Sequence, residues 1–167
     1  VILAAECADR GIDINTTIAL VERQIPKTRS YALLDDLRYA VRGGRLPAWV
    51  KTLADLLHLK PIIATKPDGR ISLAGFIVGR RNRVDRFAKF IARRLVKDEA
   101  IELGIGHAVC EENALLMERQ IRRLIPAAER IVVNELSPAL GVHGGPGALL
   151  VSVSPVVSLD DIAASSN

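Results

Sequence analysis

Arg130-Ile131-Val132-Val133-Asn134-Glu135-Leu136, then Val142-His143-Gly144-Gly145-Pro146-Gly147, then Ala148-Leu149-Leu150-Val151-Ser152-Val153: this stretch decides the fold class. Short β-branched runs bounded by Gly and Pro favour extended backbone, so two strands bracket a glycine-rich loop. Glycines there let backbone N–H groups approach a ligand closely, and Pro146 stiffens the exit. His143, one of three histidines in the chain, adds a hydrogen-bonding side chain to that loop. From these residues alone the segment reads equally well as a ligand site or as a glycine-rich turn.

Working outward, helices and strands alternate. Val1 to Arg10 reads as a helix, and Asp13 caps a second from Ile14 to Ile25, with Ile18, Leu20, Val21 and Ile25 as its apolar contacts. Ser30 to Leu34 is a strand, and Asp35 or Asp36 caps a short helix stopped by Gly43-Gly44. Pro47 opens the next helix, Ala48 to Leu59, where Val50, Leu53, Leu56 and Leu57 repeat at helical spacing as a core face. Pro61 to Thr65 and Arg70 to Val78 form a hairpin about Lys66-Pro67-Asp68-Gly69. Arg81 to Lys97 is an amphipathic helix with Val84, Phe87, Ala88, Ile91 and Leu95 on its apolar stripe. A strand from Ile101 to Val109 and a helix from Glu111 to Leu124 complete the pattern before the opening stretch. The expectation is an α/β domain, a mixed five-stranded sheet packed with helices, over residues 1–155, with residues 156–167 a flexible tail.

At 167 residues, 49% apolar and 25% charged, the chain has the composition of one globular domain. Only 4% is aromatic, so aliphatic side chains build the interior. Cys7 and Cys110 form neither a disulfide framework nor a metal-ligand spacing and read as reduced structural thiols of a cytoplasmic protein. No apolar run reaches the ~18 residues of a membrane-spanning helix, and no signal peptide is visible. The chain opens on Val inside a helix, which reads as a piece of a longer protein with an upstream portion absent. Charge is segregated: residues 38–97 hold fifteen Lys or Arg against three acids, while the remainder holds eight against sixteen.

Two further segments suit an anion. Val41-Arg42-Gly43-Gly44-Arg45-Leu46 sets a sharp turn between guanidinium groups, or is simply a helix C-cap with solvated arginines. Arg80-Arg81-Asn82-Arg83 stands at a strand-to-helix junction, where a helix N-terminus favours phosphate or carboxylate, or it is a solvated charge run. His58 and His107 read as structural histidines. Walker A, Gly-x-Ser-x-Gly, His-Glu-x-x-His and Cys-x-x-Cys signatures are absent, so a self-contained hydrolase is disfavoured.

In order, Tyr39-Ala-Val-Arg-Gly-Gly-Arg-Leu46, Leu56-Leu-His-Leu-Lys-Pro-Ile-Ile63, Asp68-Gly-Arg70, Val78-Gly-Arg80, Gly106-His107 and Gly141-Val-His-Gly-Gly-Pro-Gly-Ala148 resemble the DegV family. The resemblance runs from about residue 13 to about residue 153. It implies the C-terminal domain of a two-domain fold that binds a long-chain fatty acid between its domains. It further implies a carrier rather than an enzyme, one that presents the acid's carboxylate to a partner kinase for acyl phosphate formation in bacterial phospholipid synthesis. By the same resemblance His143, with Gly144 and Gly145, matches the carboxylate end of the site. Arg45 and Arg80 match the headgroup region or kinase interface, and Leu53, Leu57 and Ile62 are candidate acyl-chain wall. The ligand is then the fatty acid, with no metal and no other cofactor. Val142 departs from the family pattern, which carries Thr before the histidine. Two other readings compete: a nucleic-acid-binding module using the basic segment 38–97, and a regulatory domain that keeps the fold without its ligand.

Overall fold

The structure is a computed structural model that describes residues 1–44, 48–66, 68–79, 81–95 and 100–159, apart from the side chains of residues 48, 51, 53 and 55. Its elements follow the order α1 (Ile2–Asp9), α2 (Ile14–Gln24), β1 (Arg29–Leu33), α3 (Leu37–Arg42), α4 (Ala48–Leu56), β2 (Leu59–Thr65), β3 (Ile71–Val78), α5 (Arg83–Ala92), β4 (Ile101–His107), α6 (Glu111–Leu124), β5 (Ala128–Glu135), α7 (Pro138–Gly144) and β6 (Leu149–Pro155). The sheet has six strands, not the expected five, in the order β3-β2-β1-β6-β4-β5. It is mixed as expected: β4 and β5 run parallel, joined by the α6 crossover, and the other neighbours are antiparallel.

Side chains alternate across a strand, so each face has its own contents. Leu33 of β1, Ile62 of β2, Ile105 of β4 and Val151 of β6 point to one face and meet Val84, Phe87 and Ile91 of α5 and Ala114, Met117 and Ile121 of α6. Full burial of each such aliphatic or aromatic side chain contributes roughly 1.5–3 kcal/mol. Ala32 and Ile63, paired directly across β1 and β2, point to the other face. There Leu37 and Ala40 of α3, Ala54 of α4, Ala108 and Ala148 form a smaller cluster.

At the far end of that second face, Gln24 donates to the Ser154 hydroxyl (2.7 Å). Arg130 bridges Glu6 of α1 and Glu102 of β4, which ties α1 to the sheet. Asp13 caps α2, accepting from the amides of Asn15 (2.9 Å) and Thr16 (3.1 Å). A hydrogen bond from the Thr16 side chain, with those from the amides, holds its carboxyl below the usual carboxylate range.

Several sequence expectations need correction. On α2 the buried positions are Thr17 and Leu20, while Ile18 and Ile25 are exposed. On α4, Ala54 rather than Leu56 faces the core, and both Leu56 and Leu57 are exposed, because α4 meets the sheet along one short contact with β2. Residues 156–159 are packed rather than a flexible tail: the Val156 amide donates to the Ala100 carbonyl (2.9 Å), and Leu159 is buried against Cys7, Ile12 and Leu20. Residues 160–167 lie outside the described part.

The edge strand β3 carries an extra residue, Ala74, where the pairing shifts between Ile62 and Ile63. The bulge keeps Phe76 and Val78 on the same side as Ile71 and Leu73, so four exposed apolar side chains line the second face at this edge. Gly75 lets the strand pass close to Phe90, whose ring lies 2.9 Å from where a Cβ would stand.

Candidate functional site

The glycine-rich segment is not a plain loop. Ser137 and Pro138 start α7, which runs to Gly144, so His143 sits on the last turn of a short helix. Pro138 at the first helical position is the start signal that the sequence contained. Gly145 ends the helix with φ 73° and ψ 167°, a conformation open essentially to glycine alone. The segment then crosses to the sheet: the Gly147 amide donates to the Ala108 carbonyl (2.8 Å), and the Ala108 amide to that of Ala148 (3.0 Å).

This segment lies against α3 in a regular way. Asp36 caps α3 through the Arg38 amide (2.8 Å), which sets Asp35, Tyr39 and Gly43 on one side at four-residue intervals. Gly147 meets Asp35, Gly145 meets the Tyr39 ring, and His143 meets Gly43. A Cβ on Gly147 would be 2.9 Å from Asp35 Oδ2, and one on Gly145 would be 2.7 Å from Tyr39 Cγ. A Cβ on Gly43 would lie 3.0 Å from His143 Cε1 and closer still to Nδ1. Three glycines therefore permit three contacts. The Arg42-Gly43-Gly44 motif and the Val142–Gly147 motif, a hundred residues apart in sequence, thus pack against each other.

His143 Nδ1 is buried against Gly43 without a hydrogen-bond partner, while the residue as a whole is only partly buried. An unpaired buried acceptor costs less than an unpaired buried N–H. The ring is therefore best satisfied with its proton on Nε2, which makes that nitrogen the one able to donate toward a ligand. Gly144 and Gly145 flank it; Gly145 is buried on Tyr39. Behind the segment, the Asp35 carboxylate carries two cations, Lys60 Nζ at 3.2 Å and the Arg83 guanidinium. This cluster escaped the sequence reading because its members stand 25 and 48 positions apart.

The other sequence candidates divide. Arg45, Arg80 and the Leu53 side chain lie outside the described residues. Leu57 is exposed just past α4. Ile62 is fully buried among the side chains of α5 and α6, on the face away from His143, so it shares no wall with that residue. On the face that His143 does share, Gly104 has no close neighbour above it among the described residues. A Cβ on Gly104 would meet nothing within 4 Å, with Val132 and Ser152 as its strand neighbours and Leu150, Ala32 and Ile63 beyond. His107 occupies the opposite face at the end of β4 and is buried.

A cleft of about 510 Å³ between α5 and α6, lined by Asn82, Arg83, Val84, Asp85, Asn113, Leu116 and Gln120, mixes polar and apolar groups, unlike the predominantly apolar walls of a lipid site. Among the described residues no group of three or more His, Cys, Asp or Glu gathers as a metal site. None of the described helices is long and apolar enough to cross a membrane. Many cations of the basic segment have local partners: Arg38 with Asp36, Arg70 with Asp68, Lys89 with Asp85, and Arg94 stacked 3.5 Å over Phe90.

Cys110 Sγ donates to the Ala148 carbonyl at 3.5 Å, and burial pushes its thiol above the usual range. It therefore stays protonated at pH 7.5, and alkylation of the folded chain by iodoacetamide proceeds more slowly at Cys110 than in a denatured control. Equal rates by peptide mass spectrometry would contradict this placement.

A family model described as an uncharacterised protein of the DegV family matches residues 1–156. The chain belongs to the DegV family. A DegV domain-containing protein of Streptococcus pyogenes serotype M1 is 31% identical over 155 residues, covering 91% of this chain and 52% of that protein. One from Streptomyces coelicolor is 27% identical over 157 residues, covering 90% and 53%. The chain thus spans about half the length of the DegV relatives it matches.

Among solved structures, a fatty acid binding DegV family protein from Streptococcus agalactiae superposes with a TM-score of 0.76 at 20% identity, covering 94% of this chain and 55% of that one. The Streptococcus pneumoniae fatty acid kinase (Fak) B3 protein, loaded with linoleic acid, gives 0.78 at 17% identity, covering 92% and 53%. At these identities the likeness establishes the shared DegV fold.

Proposed function

We propose that this DegV domain holds the carboxylate end of a long-chain fatty acid at His143 and lays the acyl chain along the sheet face at Gly104. The observation that carries this reading is the seating of His143 on Gly43. A buried, unpaired Nδ1 leaves Nε2 as the ring's donor, at the point where the glycine segment and α3 meet. Ala32, Ile63, Val132 and Leu150 supply the aliphatic surface that a lipid tail requires, and Gly104 leaves room above it. Solved DegV relatives described as holding vaccenic, heptadecanoic and linoleic acid support the same ligand class.

In this account the full-length protein is a cytoplasmic carrier. It presents the acid's carboxylate to a partner kinase for acyl phosphate formation, and Arg45 and Arg80 serve the headgroup region or the kinase contact. The relative described as a fatty acid kinase component favours that role.

The test is titration of the full-length natural protein with palmitate. A hydrogen bond to a charged group contributes roughly 1.5–3 kcal/mol, so His143→Ala weakens binding about 10- to 100-fold. Unchanged affinity would remove His143 from the site. Tight retention on DNA at physiological salt, with no response to palmitate, would favour the nucleic-acid reading instead.

A further inference from the structure

We infer that Lys60 and Arg83, held on the Asp35 carboxylate, act as positioning residues that make this site prefer an anionic headgroup over a neutral one. The inference rests on the fatty-acid reading and extends it to Asp35, Lys60 and Arg83, none of which the family resemblance assigns to the site. Asp35 lies directly against Gly147, four residues from His143, so a bare carboxylate there would repel an incoming acid. It is not bare. Lys60 Nζ stands 3.2 Å from Oδ1 and also donates to the Asp35 carbonyl, and the Arg83 guanidinium pairs with the same Oδ1. Two cations on one anion leave a surplus positive charge behind the glycine segment.

All three groups are half-buried, with Lys60 and Arg83 side chains 22% and 17% exposed. Partial burial weakens solvent screening, so the surplus charge is felt about two helical turns along α3, where Gly43 meets His143. The three groups also come from separate parts of the fold. Asp35 follows β1, Lys60 belongs to β2 and Arg83 opens α5. The cluster thereby fixes the α3 start against the sheet while it sets the local charge.

The experiment compares palmitate with hexadecanol, which shares the tail and lacks the charge, on the full-length natural protein. Arg83→Met unmasks part of the Asp35 charge and weakens palmitate about fivefold at low salt, with hexadecanol unchanged. Arg83→Lys restores palmitate affinity, and so does adding Asp35→Asn to Arg83→Met, because the repelling charge is gone. The palmitate deficit shrinks as salt is raised. Lys60→Met is the second variant should Arg83→Met fold poorly, and it shows the same selectivity. Equal losses for both ligands, or no loss for either, overturn the inference and leave the fatty-acid site intact. Failure of the unmodified protein to bind palmitate overturns the functional reading itself and is seen before any variant is made.

Discussion

Gly43→Ala is expected to abolish most fatty-acid binding in the full-length protein while leaving the fold nearly as stable as before. Gly43 has φ −77° and ψ 3°, values that any residue adopts, so the backbone accepts alanine without strain. The added methyl instead meets His143, 3.0 Å from Cε1 and closer still to Nδ1, and the ring must turn away. Its Nε2 then no longer aims where the carboxylate binds, and affinity falls about 10- to 100-fold, the worth of one charge-assisted hydrogen bond.

Gly44→Ala is the matched control. Gly44 has φ +70°, and nothing lies within 4 Å of its would-be Cβ. This variant loses about 1 kcal/mol of stability through backbone strain and keeps its ligand. Thermal melts alongside palmitate titrations read both quantities. Equal binding by Gly43→Ala and wild type would break the link between α3 and the histidine.

The second large effect is on stability. Gly145→Ala places a side chain at φ 73° and ψ 167° and drives it into the Tyr39 ring, 2.7 Å from Cγ. Backbone strain of this kind costs about 1–3 kcal/mol, and overpacking a buried site adds about 1–3 kcal/mol. A sum near 3–4 kcal/mol is a large fraction of the stability of a domain this size, and the melting temperature falls by about 10 °C. Tyr39→Ala in the same background removes the clash and recovers the packing part of that loss. A Gly145→Ala protein that melts with wild type would contradict the placement of the α7 end on Tyr39.

Much of this fold was legible from periodicity. The α5 stripe of Val84, Phe87, Ala88 and Ile91 is buried as its spacing demands, and the Asp-Gly hairpin joins β2 and β3. The two-residue alternation of β4 and β6 matches their burial in the sheet. What pattern could not supply was that all six strand segments join one sheet, and the face that each residue takes. Ile62 and Ile63 look alike in sequence, yet one belongs to the α5–α6 core and the other to the face of His143. Strand register decides that, and register is a tertiary property.

The candidate site was legible in its parts but not in its assembly. His143 stood out by its glycines, and Gly43 by the turn it enables. Their contact arises from packing of α3 on α7, which no spacing along the chain encodes. The short α7 was missed because its glycines outweigh the start signal at Ser137-Pro138. The Asp35–Lys60–Arg83 cluster was invisible for the same reason as the contact of His143 with Gly43: three elements distant in sequence converge on one carboxylate.

The most direct measurement of the central claim is denaturing extraction of the purified full-length natural protein followed by mass spectrometry of the released lipids. The account predicts long-chain fatty acid, C14 to C18, in near-stoichiometric amount from the wild-type protein and little from the Gly43→Ala and His143→Ala variants. Wild-type protein that arrives without fatty acid and takes up none when it is offered would contradict it.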